Sequence, residues 1–259
     1  MPTAVITGAS AGLGRALATA LYGRGWNLVV DARRPGRLIR LVDELTDGPT
    51  GERAGGPADR PGAPTRLRAI AGDIGDDAHR RELAAAAKGF GSLDLLVNNA
   101  STLGPSPLPA LAELGAGQLG DILHTNVVAP LALIQLCLPA LAAADGTVVN
   151  LSSDAAVAHY PGWGGYGSAK AALDHLSGTL AAEHPALRCY SFDPGDMRTE
   201  MHQAAFPGED ISDRPEPESV LPALLRLIEQ RPPSGRYTSG DPELSIATDG
   251  IDNAQELTR

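Results

Sequence analysis

The chain holds two lysines against 19 arginines, and one of the two, Lys170, stands four residues after Tyr166. On a helix, positions i and i+4 share a face, so the Tyr166 phenol and the Lys170 ammonium can approach each other. A nearby cation favours the phenolate and lowers a tyrosine pKa from its usual value of about 10. A tyrosine tuned in this way gives or takes a proton near neutral pH, which a carbonyl reduction or an alcohol oxidation requires. An incidental pair on a surface helix is the competing reading of these two residues taken alone. Tyr160 is nearby, but residue 164 is glycine, so it has no lysine partner at this spacing.

A second cluster opens the chain. Thr7-Gly8-Ala9-Ser10-Ala11-Gly12-Leu13-Gly14 follows the apolar run Ala4-Val5-Ile6 and leads into Leu13, Leu17 and Leu21 at helical spacing. Strand, glycine turn and helix in this order let the backbone turn sharply and approach a pyrophosphate, which sits on the free N–H groups of the helix N-terminus. With 30 glycines in the chain the spacing alone says little. Its position at the first strand-to-helix turn is what gives it weight.

Elements must hold these two clusters together. Apolar runs predict strands at 3–7, 27–31, 66–71, 93–97, 146–151 and 187–192, with a short one near 236–238. Helical patterns fall at 12–23, 35–46, 77–88, 117–142, 164–183 and 217–230. Strands separated by helices imply an α/β fold, a doubly wound parallel sheet with helices on both faces. Ligands in such sheets bind at the carboxyl ends of the strands, where the motifs above fall. One domain over residues 1–239 is expected. Residues 47–65, rich in Gly and Pro, read as a flexible loop, and 240–259 as a polar tail.

Bulk properties narrow the partners. A net charge of −10 argues against nucleic acid and anionic membrane surfaces. No apolar run long enough to span a bilayer and no signal peptide are expected, since the N-terminus enters a strand almost at once. Cys137 and Cys189 lie in apolar stretches and read as buried reduced thiols, which suits a cytoplasmic protein. The histidines and acids show no metal-ligand spacing, so no metal site is expected.

Together the motifs resemble those of the short-chain dehydrogenase/reductase family, in family order from residue 3 to about 200. The glycine turn fits its TGxxxGxG, and Tyr166-Gly-Ser-Ala-Lys170 its YxxxK. Ser153 stands 13 residues before Tyr166, the family's serine-to-tyrosine spacing. Asn98-Asn99-Ala100 fits the start of its NNAG motif, with Ser101 in place of the glycine, and Pro194-Gly195 with Thr199 fits PGxxxT. The resemblance implies a single-domain Rossmann-type fold and a catalytic set of Ser153, Tyr166, Lys170 and Asn126. It implies that Tyr166 exchanges the proton, Ser153 bonds the reacting oxygen, and Lys170 lowers the tyrosine pKa and bonds the nicotinamide ribose. Asn126 then holds a water linking Lys170 to solvent. The implied cofactor surface is Gly8, Ser10, Gly12, Leu13, Gly14, Arg33, Arg34, Asp73, Ile74, Asn99, Ala100, Tyr166, Lys170, Pro194, Gly195, Met197 and Thr199. Asn98 is expected to bridge neighbouring strands.

Cofactor choice turns on Val30-Asp31-Ala32-Arg33-Arg34 at the end of the second strand. An acidic residue there bonds the ribose hydroxyls of NAD, whereas arginine accommodates the 2′-phosphate of NADP. By family register the deciding site is Ala32, and alternation along a strand points Asp31 away from it. Arg33 and Arg34 therefore favour NADP(H). Residues 196–215 read as a substrate lid. Ala155, His159, Tyr160, Trp163, Met201 and Phe206 are the candidate lining for a carbonyl or alcohol substrate, with Arg198 and Arg214 available singly for an anionic group. The helix at 117–142, apolar nearly all round, reads as buried or as an interface, and the resemblance implies a homodimer or homotetramer. Two other classes share the scaffold: an NADP(H)-sensing regulatory protein, and a redox-neutral epimerase or dehydratase.

Overall fold

The computed structural model describes residues 1–47 and 65–244. Seven parallel strands form one sheet: β1 (Thr3–Ile6), β2 (Asn27–Ala32), β3 (Leu67–Ala71), β4 (Leu95–Asn98), β5 (Thr147–Leu151), β6 (Arg188–Asp193) and β7 (Gly235–Thr238). Their order across the sheet is β3-β2-β1-β4-β5-β6-β7. Strand order reverses between β1 and β4, so a crevice opens at their carboxyl ends. All the sequence-predicted strands are present, with ends displaced by no more than two residues.

The helices are α1 (Gly12–Gly23), α2 (Pro35–Asp47), α3 (Asp77–Lys88), α4 (Ala116–Leu123), α5 (Ala129–Ala143), α6 (Gly164–Glu183), α7 (Glu200–Ala205) and α8 (Leu221–Gln230). Alternation along the strands assigns each face its core. Ala4, Ile6, Leu28 and Val30 pack with leucines of α1, α2 and α8 on one side. Val5 and Val29 pack with Leu83, Leu133 and Leu141 of α3 and α5 on the other. Covering both faces leaves only the strand ends for a ligand.

The helix expected at 117–142 differs from its prediction. It runs as α4, a π-helical turn over His124–Val128, and α5. Pro130 has no N–H to give the carbonyl four residues back, and that carbonyl belongs to Asn126. The chain widens there, and the Ala129 N–H reaches the His124 carbonyl, five residues back. The expectation that no apolar run could span a bilayer is also corrected. Ala116–Ala143 is 28 residues long with mean hydropathy 1.8 in its most apolar window, enough by length and composition to cross one. In the fold this segment packs on α3 and α6, and it buries Asn126.

Two irregular stretches were singled out from the sequence. Residues 48–64 of the 47–65 loop lie outside the described residues, as do 245–259 of the tail. The start of the tail returns to the body: Leu244 is buried and its carbonyl accepts from Arg226 at 3.0 Å.

Candidate active site

The first strand ends in a turn held from three sides. Gly8 has φ +67°, a left-handed conformation that suits glycine. Its N–H donates to Asp31 Oδ1 at 2.6 Å. The Asn99 side-chain amide donates to the Thr7 and Gly8 carbonyls at 2.8 and 3.2 Å. Gly14 leaves room for that amide, since a Cβ there would stand 2.4 Å from Asn99 Nδ2. The helix that follows has Ala11 at its N-cap and no side-chain cap. Its first N–H groups are therefore left for a ligand, and an anion suits them.

Beside this turn a cleft of about 490 Å³ runs along the strand ends. Of the predicted cofactor residues, Gly8, Ser10, Gly12, Leu13, Arg33, Arg34, Asp73, Ile74, Asn99, Ala100, Tyr166, Lys170, Pro194, Met197 and Thr199 line it. Gly14 and Gly195 do not; Gly14 packs beneath the turn, and Gly195 makes the bend after β6 by donating to Asp193 Oδ1 at 3.0 Å. Asp31 also lines the cleft, but both its oxygens are taken. Oδ1 accepts from Gly8 and Oδ2 lies 3.0 Å from Nε2 of the buried His79. That hydrogen bond raises the His79 pKa against the opposing effect of burial. Among the described residues Arg33 has no ion-pair partner, and Arg34 lies 3.9 Å from Glu200.

At the far end, α6 presents Tyr166 and Lys170 one turn apart, 8% and 3% exposed. Lys170 Nζ lies 5.4 Å from the Tyr166 ring centroid and donates to the Leu151 carbonyl at 2.6 Å. Burial pushes the phenol up to about 12; the neighbouring Ser101 and Ser153 hydroxyls pull it down, while Asp193 and Asp154 add to the rise. The protein alone therefore reverses the direction expected from a lysine at i+4. Burial also lowers Lys170 to about 8, opposed by Asp174.

Ser153 caps a 3-10 turn, accepting from the Ala155 N–H at 3.2 Å and donating to Asp154 Oδ1 at 3.0 Å. Asn126 spends its side chain on the irregular segment after β4. Its Oδ1 accepts from the Thr102 N–H at 2.9 Å and Ser101 Oγ at 3.1 Å, and its Nδ2 donates to the Thr102 carbonyl at 2.8 Å. Ser101, at the position where a glycine was expected, is thus bonded to Asn126.

The expected substrate lining divides. Ala155, Trp163, Met201 and Phe206 gather around Tyr166 and Leu103. Trp163 stands edge-on to Tyr166 at 5.7 Å, and its ring lies 6.0 Å from Phe206. Tyr160 instead turns outward and donates to Asp154 Oδ2 at 2.9 Å, and His159 is exposed. Arg198 pairs with Glu216, and Arg214 lies 3.9 Å from Asp196 and 3.6 Å from Asp213, so neither arginine waits for an anion. The stretch expected as a lid contains α7, whose N-cap Thr199 accepts from the His202 N–H at 3.1 Å. Glu200 at its start pairs with Arg37 of α2 at 2.7 Å.

Several polar partners escaped the sequence reading. Asn98 does bridge strands, donating to Asn150 Oδ1 at 2.8 Å, and Asn150 donates in turn to Ser177 Oγ at 2.8 Å. An asparagine inside the apolar strand Thr147–Leu151 was the available signal. His79, Asp174 and Arg236 carried no such signal, because their partners lie far away in sequence.

Comparison with known proteins finds relatives that cover most of the chain. The family model described as short chain dehydrogenase matches residues 2–210. Serine 3-dehydrogenase of Agrobacterium fabrum is 38% identical over 205 residues, covering 77% of this chain and 73% of that protein. Sepiapterin reductase of Mus musculus is 35% identical over 232 residues, covering 85% and 82%. A solved structure from Shigella flexneri, complexed with NADP, superposes with a TM-score of 0.80 at 25% identity, covering 93% of this chain and 97% of that one.

Proposed function

The chain belongs to the short chain dehydrogenase family, and from that premise we propose that it is an NADP-dependent oxidoreductase acting on a carbonyl or alcohol, with Tyr166 as general acid and base. The observation that carries this reading is the placement of Tyr166, Lys170 and the glycine turn along one cleft. The cleft fits the cofactor. Uncapped N–H groups of α1 suit the pyrophosphate, and Arg33, without an ion-pair partner among the described residues and with Arg34 beside it, suits a 2′-phosphate. Asp31 is anchored by the Gly8 N–H and by His79, and Arg33 beside it brings the positive charge that a 2′-phosphate needs, which favours NADP over NAD. The complex of the Shigella flexneri neighbour with NADP points the same way.

When bound, NADPH supplies the hydride for reduction and NADP accepts it for oxidation. The residues do the rest. Tyr166, protonated by burial, donates its proton to the oxygen on which negative charge develops. Ser153 hydrogen-bonds that oxygen and aligns the substrate. Lys170 holds the ribose hydroxyls and supplies the positive charge that offsets the phenolate left behind. Asn126 fixes residues 101–102 and, through the widened turn, presents its carbonyl for a water that refills the proton. Trp163, Met201 and Phe206 form an apolar wall that keeps bulk water away, and α7 closes over it as part of the 196–215 lid. A homodimer or homotetramer and a cytoplasmic location complete this reading.

The relatives named above act on a pterin and on a hydroxy amino acid by name, so both compounds join simple ketones, aldehydes and quinones in the test. Absorbance of NADPH is followed with each carbonyl, and of NADPH formation with serine and simple alcohols. Turnover of one class with NADP(H) over NAD(H) supports the reading. NADPH binding without net turnover on any of them favours a redox-neutral epimerase or dehydratase, or a sensor.

A further inference from the structure

Lys170 is buried, and the one hydrogen bond it makes among the described residues ends on the Leu151 carbonyl. A buried ammonium is costly unless a counter-charge stands near it. One turn further along the same face of α6 stands Asp174. Its Oδ2 accepts from Ser152 Oγ at 2.8 Å and Arg236 Nε at 3.2 Å. Its Oδ1 is buried without a hydrogen-bond partner. Arg236, on β7, also donates to Asp193 Oδ2 at 2.8 Å and to the Ser153 carbonyl at 3.0 Å. Arg236 thus joins two carboxylates between α6, β6 and β7, and Lys170 stands one turn from Asp174 on α6.

We propose that Asp174, clamped by Ser152 and Arg236, is the positioning residue that keeps Lys170 cationic, and that Lys170, Asp174, Arg236 and Asp193 behave as one charge-balanced set behind the reacting hydroxyls. The orphaned Oδ1 is the free valence of that set. Asp174 is also the group that raises Lys170 against its burial. Other titratable groups around α6 leave this balance intact. Tyr166 is neutral below about pH 12, Asp154 is exposed and held by Tyr160 and Ser153, and Asp121 and His124 on α4 and its π turn are exposed. His124 is moreover bonded to the Gly75 carbonyl at 3.0 Å. Strand β5 contributes no titratable group: Asn150 bonds Ser177 of α6, and Ser152, just past the strand, bonds Asp174. The proposal draws its catalytic meaning from the oxidoreductase reading, but its measurement does not require turnover.

The chain has only two lysines, and the other, Lys88, is exposed. Protein labelled with carbon-13 at lysine Cε therefore gives two resonances, and their pH titration reads the Lys170 midpoint directly with Lys88 as internal reference. Asp174→Asn leaves the set with an excess positive charge and should lower the midpoint by about one unit or more. Arg236→Gln leaves an excess negative charge and should raise it by a similar amount. Lys88 should not move in either. On any substrate turned over, the alkaline limb of kcat/KM should follow the same two displacements. A purely structural role for the pair would damage both variants without opposite shifts. Midpoints unchanged, or moved in the same direction, overturn the proposal. Should D174N fail to fold, an unchanged or lowered midpoint in R236Q overturns it alone. Opposite shifts in a protein that reduces no carbonyl would sustain the charge set and count against the oxidoreductase reading only; turnover with unmoved midpoints would do the reverse.

Discussion

At the scale of single residues, the burial that shapes the site also sets its protonation. Tyr166, pushed up to about 12, is fully protonated at neutral pH. Lys170, lowered to about 8, is charged only below that value. Reduction should therefore hold level through neutral pH and decline above about pH 8 as Lys170 loses its charge, which a kcat/KM profile checks. The stability consequence has a definite sign. Between about 8 and the ordinary lysine value near 10.4 the unfolded chain binds the proton that folded Lys170 has released, so this group's contribution to stability rises with pH. Thermal unfolding at pH 7.5 and 9.5, as illustrative conditions about this window, should show that rise in wild type relative to Lys170→Met. The Tyr166–Lys170 spacing was legible because a helix repeats locally. The direction of the phenol's shift was not, because burial is a property of the assembled core.

At the scale of elements, the turns and strand bridges depend on close approach. Gly14→Ala places a methyl 2.4 Å from Asn99 Nδ2 and 2.7 Å from the Gly8 carbonyl. It should cost about 1–3 kcal/mol by overpacking and weaken NADPH binding with it, as unfolding and fluorescence titrations would read. Asn150→Ala strands the Asn98 amide inside the sheet. The expected loss is about 1–3 kcal/mol of stability in denaturant unfolding, with the cleft residues untouched. Helices α1, α3 and α6 fall where their sequence pattern put them, because apolar periodicity and glycine or acidic starts mark their bounds. The π turn at Asn126 was missed, since its cause, Pro130, looks like an ordinary early-helix proline. Helix α7 was missed because six residues carry too little periodicity to register.

At the scale of the whole molecule, one parallel sheet gathers residues from both ends of the chain, joining Gly8 to Tyr166 and Asp193 to Arg236. The fold was legible from alternating strands and helices. Contacts such as Asp31 with His79, or Arg236 with Ser153, were not, because residues 48 and 83 positions apart share no local pattern. Cofactor choice is decided at this scale, where β2 meets α2. Arg33→Ala should weaken NADPH binding about tenfold or more and leave NADH nearly unchanged, a difference of about 1.4 kcal/mol or more that paired titrations resolve. The proposed chemistry at this site turns on Tyr166 moving the proton. The most direct measurement compares wild type with Tyr166→Phe in NADPH oxidation on a turned-over carbonyl, with NADPH affinity measured alongside. The expected result is a loss of about 10²–10⁴ in kcat with affinity little changed. A Phe variant that binds NADPH and turns over at the wild-type rate would contradict it.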